Sequence, residues 1–137
     1  MASRDTRTGQ VLEQMVLPAL ENGGYAFETQ EFIGRRPGGA KHKIDVLVTR
    51  PKKLLVSLKW QQTSGSTEQK VPFEVMCLAE AMREGEYDKA YLVLGGPGWR
   101  LREFYLGGGL EEHLRHAHLV DIVSLEEFVA LANRGDL

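Results

Sequence analysis

The sequence has a single cysteine, Cys77, and cannot close a disulfide within the chain. That fits a reducing compartment, and a cytoplasmic location is expected. No run of about 18 apolar residues is present, the length a membrane-spanning helix needs. The N-terminus lacks the pattern of a signal peptide, so no membrane association is expected. An excess of positive charge is also missing: 17 Lys and Arg stand against 19 Asp and Glu, a formal net charge of −2. The whole-chain charge therefore does not announce nucleic-acid binding, which would have to come from a local basic patch. Internal repeats, low-complexity tracts and dividing linkers are absent from the 137 residues. One domain over residues 1–137 is expected, large enough to bury a real core.

What is present is organised around Lys43 to Gln62, KIDVLVTRPKKLLVSLKWQQ. Ile44, Val46 and Val48 alternate with Asp45, Leu47 and Thr49; Leu54, Val56, Leu58 and Trp60 alternate with Leu55, Ser57 and Lys59. A period of two predicts two strands, because successive side chains point to opposite faces. Arg50-Pro51-Lys52-Lys53 is the turn between them, since proline fixes its own φ and disfavours helix before it. Asp45 and Lys59 are opposite charges set within apolar strands, and Ser57 shares a face with Lys59. Charges so placed need a partner, a metal or a substrate.

The flanking segments supply helices and further strands. Val11, Leu12, Met15, Val16, Ala19 and Leu20 have helical spacing over residues 6–21, with Pro18 predicted to kink the helix and Asn22-Gly23-Gly24 to end it. Glu13 borders its apolar face, which reads most plainly as a solvated edge glutamate. Tyr25 to Ile33 reads as a strand. Gly34 to Lys43 is a glycine-rich, basic loop predicted to be mobile; Arg35, Arg36, Lys41, His42 and Lys43 give it the charge to meet a phosphate backbone, against the plainer reading of a solvated hairpin. A polar loop over residues 63–70 leads to a helix from Pro72 to Glu84, with Glu74 in its first turn beside an apolar stripe. Tyr87 to Leu94 and Leu119 to Val123 read as strands, with short helices over Trp99 to Leu106 and Gly109 to His116. Ser124 and Glu127 form a capping box for a last helix stopping at Gly135. Helix, three strands, helix, strand, short helices, strand, helix predicts an α/β fold with a mixed sheet flanked by helices.

Asp45, Ser57, Lys59, Glu13 and Glu74 form one possible catalytic constellation. Phosphodiester hydrolysis assisted by Mg²⁺ needs carboxylate ligands, and a nearby lysine can orient water or stabilise charge on phosphate. A buried Asp–Lys ion pair with a purely structural role fits the spacing equally well. Elsewhere, Gly95-Gly96-Pro97-Gly98 lacks the Lys-Ser or Lys-Thr of a phosphate-binding P-loop. His113, His116 and His118 approach metal spacing without a nearby cysteine. Trp60, Trp99, Phe104 and Tyr105 read as core or interface residues sooner than as base-stacking ones. Cys77, in an apolar mid-helix setting, reads as inert.

Ile44-Asp45 followed by Ser57-Leu58-Lys59 resembles the core of the PD-(D/E)xK nuclease superfamily, an aspartate on one strand and acid-x-Lys on the next. The order of elements over residues 6–95 resembles it as well. The resemblance implies a restriction-endonuclease-like sheet, DNA as partner, and Mg²⁺ as cofactor with Mn²⁺ able to substitute. It implies Asp45 and Lys59 as catalytic residues, with Asp45, Glu13, Glu74 and the Leu58 carbonyl as metal ligands. Ser57 departs from the pattern by replacing the acid. Some restriction enzymes with Ser-x-Lys supply that acid from the following helix, which makes Glu74 the expected replacement and Glu68 a weaker one. Gln61, just past the lysine, would contact metal-bound water or DNA, unless it is a plain strand end. The small size, Glu13 and the basic loop are similar to archaeal-type Holliday junction resolvases, which are homodimers. The expected function is thus a metal-dependent endonuclease of junction DNA. A sequence-specific restriction or repair endonuclease, a degenerate nuclease fold that only binds DNA, and a dimeric scaffold using Trp99 to Leu106 stand as alternatives.

Overall fold

The computed structural model describes residues 6–137, with Thr6 described in its backbone alone. Strand β3 (Leu54–Trp60) is apolar on both faces along most of its length, and the architecture follows from covering both. Leu54, Val56 and Leu58 pack into one apolar cluster and Leu55 into another on the opposite side. β3 is central in a five-stranded sheet of order β1-β2-β3-β4-β5, with β1 Ala26–Arg35, β2 Lys41–Arg50, β4 Lys89–Gly95 and β5 Val120–Ser124. β1–β2 and β2–β3 are antiparallel; β3–β4 and β4–β5 are parallel. The parallel steps need crossovers. These are α3 (Thr67–Glu84), and then α4 (Arg102–Leu106) with two 3₁₀ turns. One face is covered by α1 (Thr6–Val11), a π-helical segment Leu12–Val16, α2 (Leu17–Asn22) and α5 (Leu125–Arg134). The other is covered by α3 with Tyr105 and Leu110. The mixed sheet flanked by helices is the α/β fold expected. No helix among the described residues is long and apolar enough to cross a membrane.

Two prolines shape the helices differently from expectation. Pro18 sits just beyond the π-helical segment, where the Leu17 N–H bonds the Leu12 carbonyl one residue further back than in an α-helix. The ring of Pro18 and its missing N–H disfavour an α-turn there, and the wider turn absorbs the conflict without a break. Helix α3 begins at Thr67, not at Pro72, so Pro72 lies inside it. A proline leaves the carbonyl four residues back without its helical donor. That carbonyl belongs to Glu68, and it accepts instead from the Tyr105 hydroxyl at 2.7 Å. The last helix behaves as expected: Ser124 Oγ accepts from the Glu127 N–H at 3.1 Å, and Gly135 closes it with φ of 74°.

The basic loop is shorter than predicted. Strand pairing takes Gly34 and Arg35 into β1 and Lys41 to Lys43 into β2, leaving residues 36–40 as the turn. The Arg36 N–H bonds the Ala40 carbonyl, and the Gly39 N–H bonds that of Arg36. β1 and β2 thus form a two-stranded ribbon that outruns the rest of the sheet, because β2–β3 pairing stops at Val46 opposite Val56. Such ribbons twist more strongly than sheets. Val46 and Val48 pack on the α1–α2–α5 side, yet Ile44 packs on the α3 side, contrary to the simple alternation. The change of face falls at Asp45. Directly opposite, between the pairs Thr29–Val46 and Glu31–Ile44, Gln30 has a φ of 56°. Left-handed backbone costs a non-glycine residue roughly 1–2 kcal/mol. At this position the usual strand ranking should therefore invert. Denaturant unfolding is expected to show Gln30→Gly at least about 1 kcal/mol more stable than Gln30→Val.

Candidate active site

Where β2 leaves β3, the Leu58 N–H loses the strand partner that continued pairing with Ile44 would provide. The Asp45 carboxylate takes its place, with Oδ2 accepting from the Leu58 N–H at 2.8 Å. An unpaired buried N–H is costly, so the fork holds Asp45 in position. Asp45, Leu58 and Lys59 line a cavity of about 170 Å³ together with Thr8, Trp60, Thr67 and Lys70. Larger cavities, of up to about 580 Å³, contain neither Asp45 nor Lys59. Burial pushes the Asp45 carboxyl above its ordinary range; the Leu58 N–H, the Lys59 charge and the Gln30 amide pull it back, while the Glu74 charge adds to the rise.

Ser57, which stands where the acid is missing, meets an acid in space. Its hydroxyl donates to Glu74 Oε2 at 3.0 Å, across from α3. Glu74 is 4% exposed. Its other oxygen pairs with Arg36 Nη1 at 3.1 Å, and His42 Nε2 lies 3.8 Å from Oε2, beyond hydrogen-bond range. Burial alone would raise the Glu74 carboxyl, but His42, Lys59 and Arg36 together outweigh it and lower it to about 2. Buried carboxylates keep their charge only with such partners. Glu74 does not line the cavity itself, yet its charge reaches both Lys59 and Asp45.

Other expected residues are placed differently. Glu13 is exposed on the π-helical segment and does not line the cavity. Gln61, 3% exposed, is committed to the scaffold: Nε2 donates to the Gly98 carbonyl and Oε1 accepts from the Glu68 N–H. Its backbone is equally engaged, by Gly95 and Gly98, and a Cβ at Gly96 would lie 2.3 Å from the Gln61 carbonyl oxygen. Gln61 thus welds the end of β3 to the β4 turn, buried and outside the cavity, in place of the expected contact with water or DNA. The Glu68 carboxylate accepts from the Leu101 N–H at the start of α4 and lines a different cavity from Asp45 and Lys59, which sets it apart from the site as a replacement acid. His42 is 1% exposed and packed toward Glu74, so it is not part of the basic surface. Arg36 spends its charge on Glu74. Arg35, Lys41 and Lys43 remain exposed. Trp99 and Tyr105 are core residues, and burial pushes the Cys77 thiol up, in keeping with inertness.

Three lining residues, Thr8, Thr67 and Lys70, carried a signal in the sequence. Thr67, Lys70 and Glu74 are three and four apart and share a face of α3, and Thr8 is one turn before buried Leu12. At the rim, Arg7 Nη1 and Trp60 Nε1 both donate to Gln62 Oε1 at 3.2 Å. Arg7 also lies over the Trp60 ring at 5.6 Å.

The donor set limits the metals that suit the site. Among the described residues no three of His, Cys, Asp and Glu gather as ligands, which leaves out both a three-carboxylate set including Glu13 and a zinc site at His113, His116 and His118. Two carboxylates beside an open cavity suit a hard cation such as Mg²⁺, which takes one or two carboxylates and completes its shell with water and phosphate.

The two carboxylates affect stability with opposite sign. Glu74, held at about 2 against an ordinary 4.5, stabilises the fold fully above pH 4.5, and that contribution is lost as pH falls toward 2. Asp45, raised by burial, gives up stability as it ionises and regains it at low pH. Unfolding of wild type and Glu74→Gln should therefore differ by roughly 3 kcal/mol less at pH 2 than at pH 6, from about 1.36 kcal/mol per pH unit.

Comparison with known proteins agrees with this geometry. No curated protein sequence matches significantly. The crystal structure of a protein of unknown function, AF1548, superposes with a TM-score of 0.50 at 12% identity, over 80% of this chain and 54% of that one. The chain spans about half the length of that structure, and the likeness speaks for the fold alone. A family model described as a PD-(D/E)XK nuclease superfamily domain matches residues 4–136. With the match running over nearly its whole length, the chain belongs to the PD-(D/E)XK nuclease superfamily.

Proposed function

We propose that this protein is a divalent-metal-dependent DNA endonuclease, using Mg²⁺ with Mn²⁺ as a substitute, and that it cuts branched DNA as a junction-resolving homodimer. The observation that carries the catalytic reading is the hydrogen bond from Ser57 to Glu74. The motif lacks an acid at Ser57, and α3 brings a charged carboxylate to it. A hydroxyl facing a low-pKa carboxylate is what a migrated acid would look like.

Asp45 and Glu74 would hold the cation, with the Leu58 carbonyl as the further oxygen the motif offers. When bound, the metal supplies Lewis acidity at the phosphate and lowers the pKa of attacking water. Lys59 shares the cavity with Asp45, and its ammonium would hold a phosphate oxygen or orient water. Lys70 adds a second positive charge at the wall. Glu74 must exchange Arg36 for the cation, since the guanidinium occupies one of its oxygens. Substrate phosphates near the ribbon tip would draw Arg36 away and favour that exchange.

The junction reading draws on the ribbon: Arg35, Lys41 and Lys43 are exposed on the strands that lead to Asp45 and offer charge to a backbone without base-reading segments. Symmetric cutting of a junction requires two sites related by a two-fold axis.

The deciding experiment is cleavage of a synthetic four-way junction and a matched duplex with Mg²⁺, alongside Lys59→Ala and Glu74→Ala. Paired symmetric nicks in the junction alone are expected, with each variant slowed by about 100-fold or more. Cutting of duplex at a fixed sequence would replace the junction reading with a restriction or repair enzyme. Tight binding without cutting in Mg²⁺ or Mn²⁺ would leave a DNA-binding module.

A further inference from the structure

The β1–β2 ribbon bears an aromatic ring that the core leaves out. Phe32 is 59% exposed. Burying a phenylalanine stabilises a fold by roughly 1.5–3 kcal/mol, and Phe32 forgoes most of that. Two ammonium groups lie over its ring in cation–π contact, Lys41 Nζ at 5.3 Å and Lys43 Nζ at 5.4 Å from the centroid. Phe32 pairs with Lys43, and Arg35 with Lys41, across an irregularity in the ladder. Phe32, Gly34, Arg35 and Lys41 line a shallow cleft of about 270 Å³. Among the described residues none of Arg35, Lys41 and Lys43 has a carboxylate partner.

An exposed aromatic ring beneath cations that lack carboxylate partners matches the needs of a nucleotide: the phosphates draw the ammonium groups off the ring and the base takes their place on its face. A second copy of the chain suits the patch poorly, since a two-fold contact brings the same surface against itself and would set lysine against lysine. The position also points to nucleic acid. Lys43 is two residues from Asp45, about 7 Å along the strand, or roughly two nucleotide steps of a stacked strand. Bases in an intact duplex are covered on both faces by their neighbours and have no face to offer.

We infer that Phe32 is a stacking platform for an unpaired or unstacked base close to the cleaved phosphate, with Lys41, Lys43 and Arg35 holding the flanking phosphates. The substrate class is then DNA whose stacking is interrupted within a few nucleotides of the cut. The inference rests on the reading of DNA as substrate and specifies which DNA.

The test is binding without metal, in EDTA, to two fluorescent DNAs. One is a duplex with a short single-stranded bulge carrying 2-aminopurine; the other is its fully paired counterpart. Wild type should prefer the bulged DNA and quench its 2-aminopurine. Phe32→Ala should weaken binding to the bulged DNA by roughly fivefold or more, the effect of one base–aromatic stack, and leave the paired duplex unchanged. Phe32→Trp should restore both preference and quenching. Lys41→Ala with Lys43→Ala should weaken both DNAs alike and reduce the slope of log affinity on log salt by about two. Because Phe32 is exposed, unchanged unfolding midpoints will show that the fold survives.

Equal binding of the two DNAs by wild type, or no effect of Phe32→Ala on the preference, overturns the inference. So does loss of self-association in Phe32→Ala with DNA binding unchanged, which would give the patch to a second copy. The companion cleavage assay separates the two readings. Phe32-independent cutting removes the platform and keeps the nuclease, whereas Phe32-dependent quenching without cutting in Mg²⁺ or Mn²⁺ keeps the platform and removes the nuclease.

Discussion

The site depends on how the sheet divides between β2 and β3. The ladder ends at Val46 and Val56, and the next inward N–H, that of Leu58, needs an acceptor. A carboxylate can serve only if its strand turns aside there, as β2 does when Ile44 crosses to the α3 face. Asp45 thus satisfies the backbone and at the same time stands at the mouth of a cavity with Lys59. One hydrogen bond links the architecture of the sheet to the placement of a carboxylate at the candidate site. The left-handed Gln30 opposite it is the local cost of the same turn, of the kind that concentrates at functional positions.

Behind the fork, charge is concentrated around Glu74. Burying a carboxylate is unfavourable, and three basic side chains are gathered to offset it. Arg36 and His42 come from the ribbon and Lys59 from β3, so the position of the ribbon and the ionisation of Glu74 depend on one another. Under the proposed function, this is how the protein would carry its second acid on a helix. The carboxylate need not follow the strand motif so long as the tertiary fold presents it to Ser57.

The segments after α3 position these parts without lining the cavity. Gln61 joins the end of β3 to the turn after β4, where Gly98 leaves no room for a side chain against the Thr63 backbone. Tyr105 satisfies the carbonyl that Pro72 frees in α3, and α3 in turn carries Glu74. Proline inside that helix is tolerated because a distant hydroxyl completes its hydrogen bonding.

Much of the fold was legible in the sequence because its signals are local. The alternation from Lys43 to Gln62 is a property of neighbouring residues, and so is the Ser124 cap. Asp45 and Lys59 were visible as charges interrupting apolar strands, and the motif they form led to the superfamily. What the sequence could not decide was which residues of one local class meet across long separations. Glu74 and Glu68 are both acids on α3; one reaches Ser57 and the other ties down Leu101. Gln61 and His42 read as surface residues, yet packing buries both, while Phe32 reads as an ordinary strand residue and is left open. Even the alternation of β2 failed at Ile44, where strand twist set the face. Local spacing determines the element and the direction of each side chain along it. Twist, crossover and packing determine what that side chain meets, and these are settled only when distant segments are folded together.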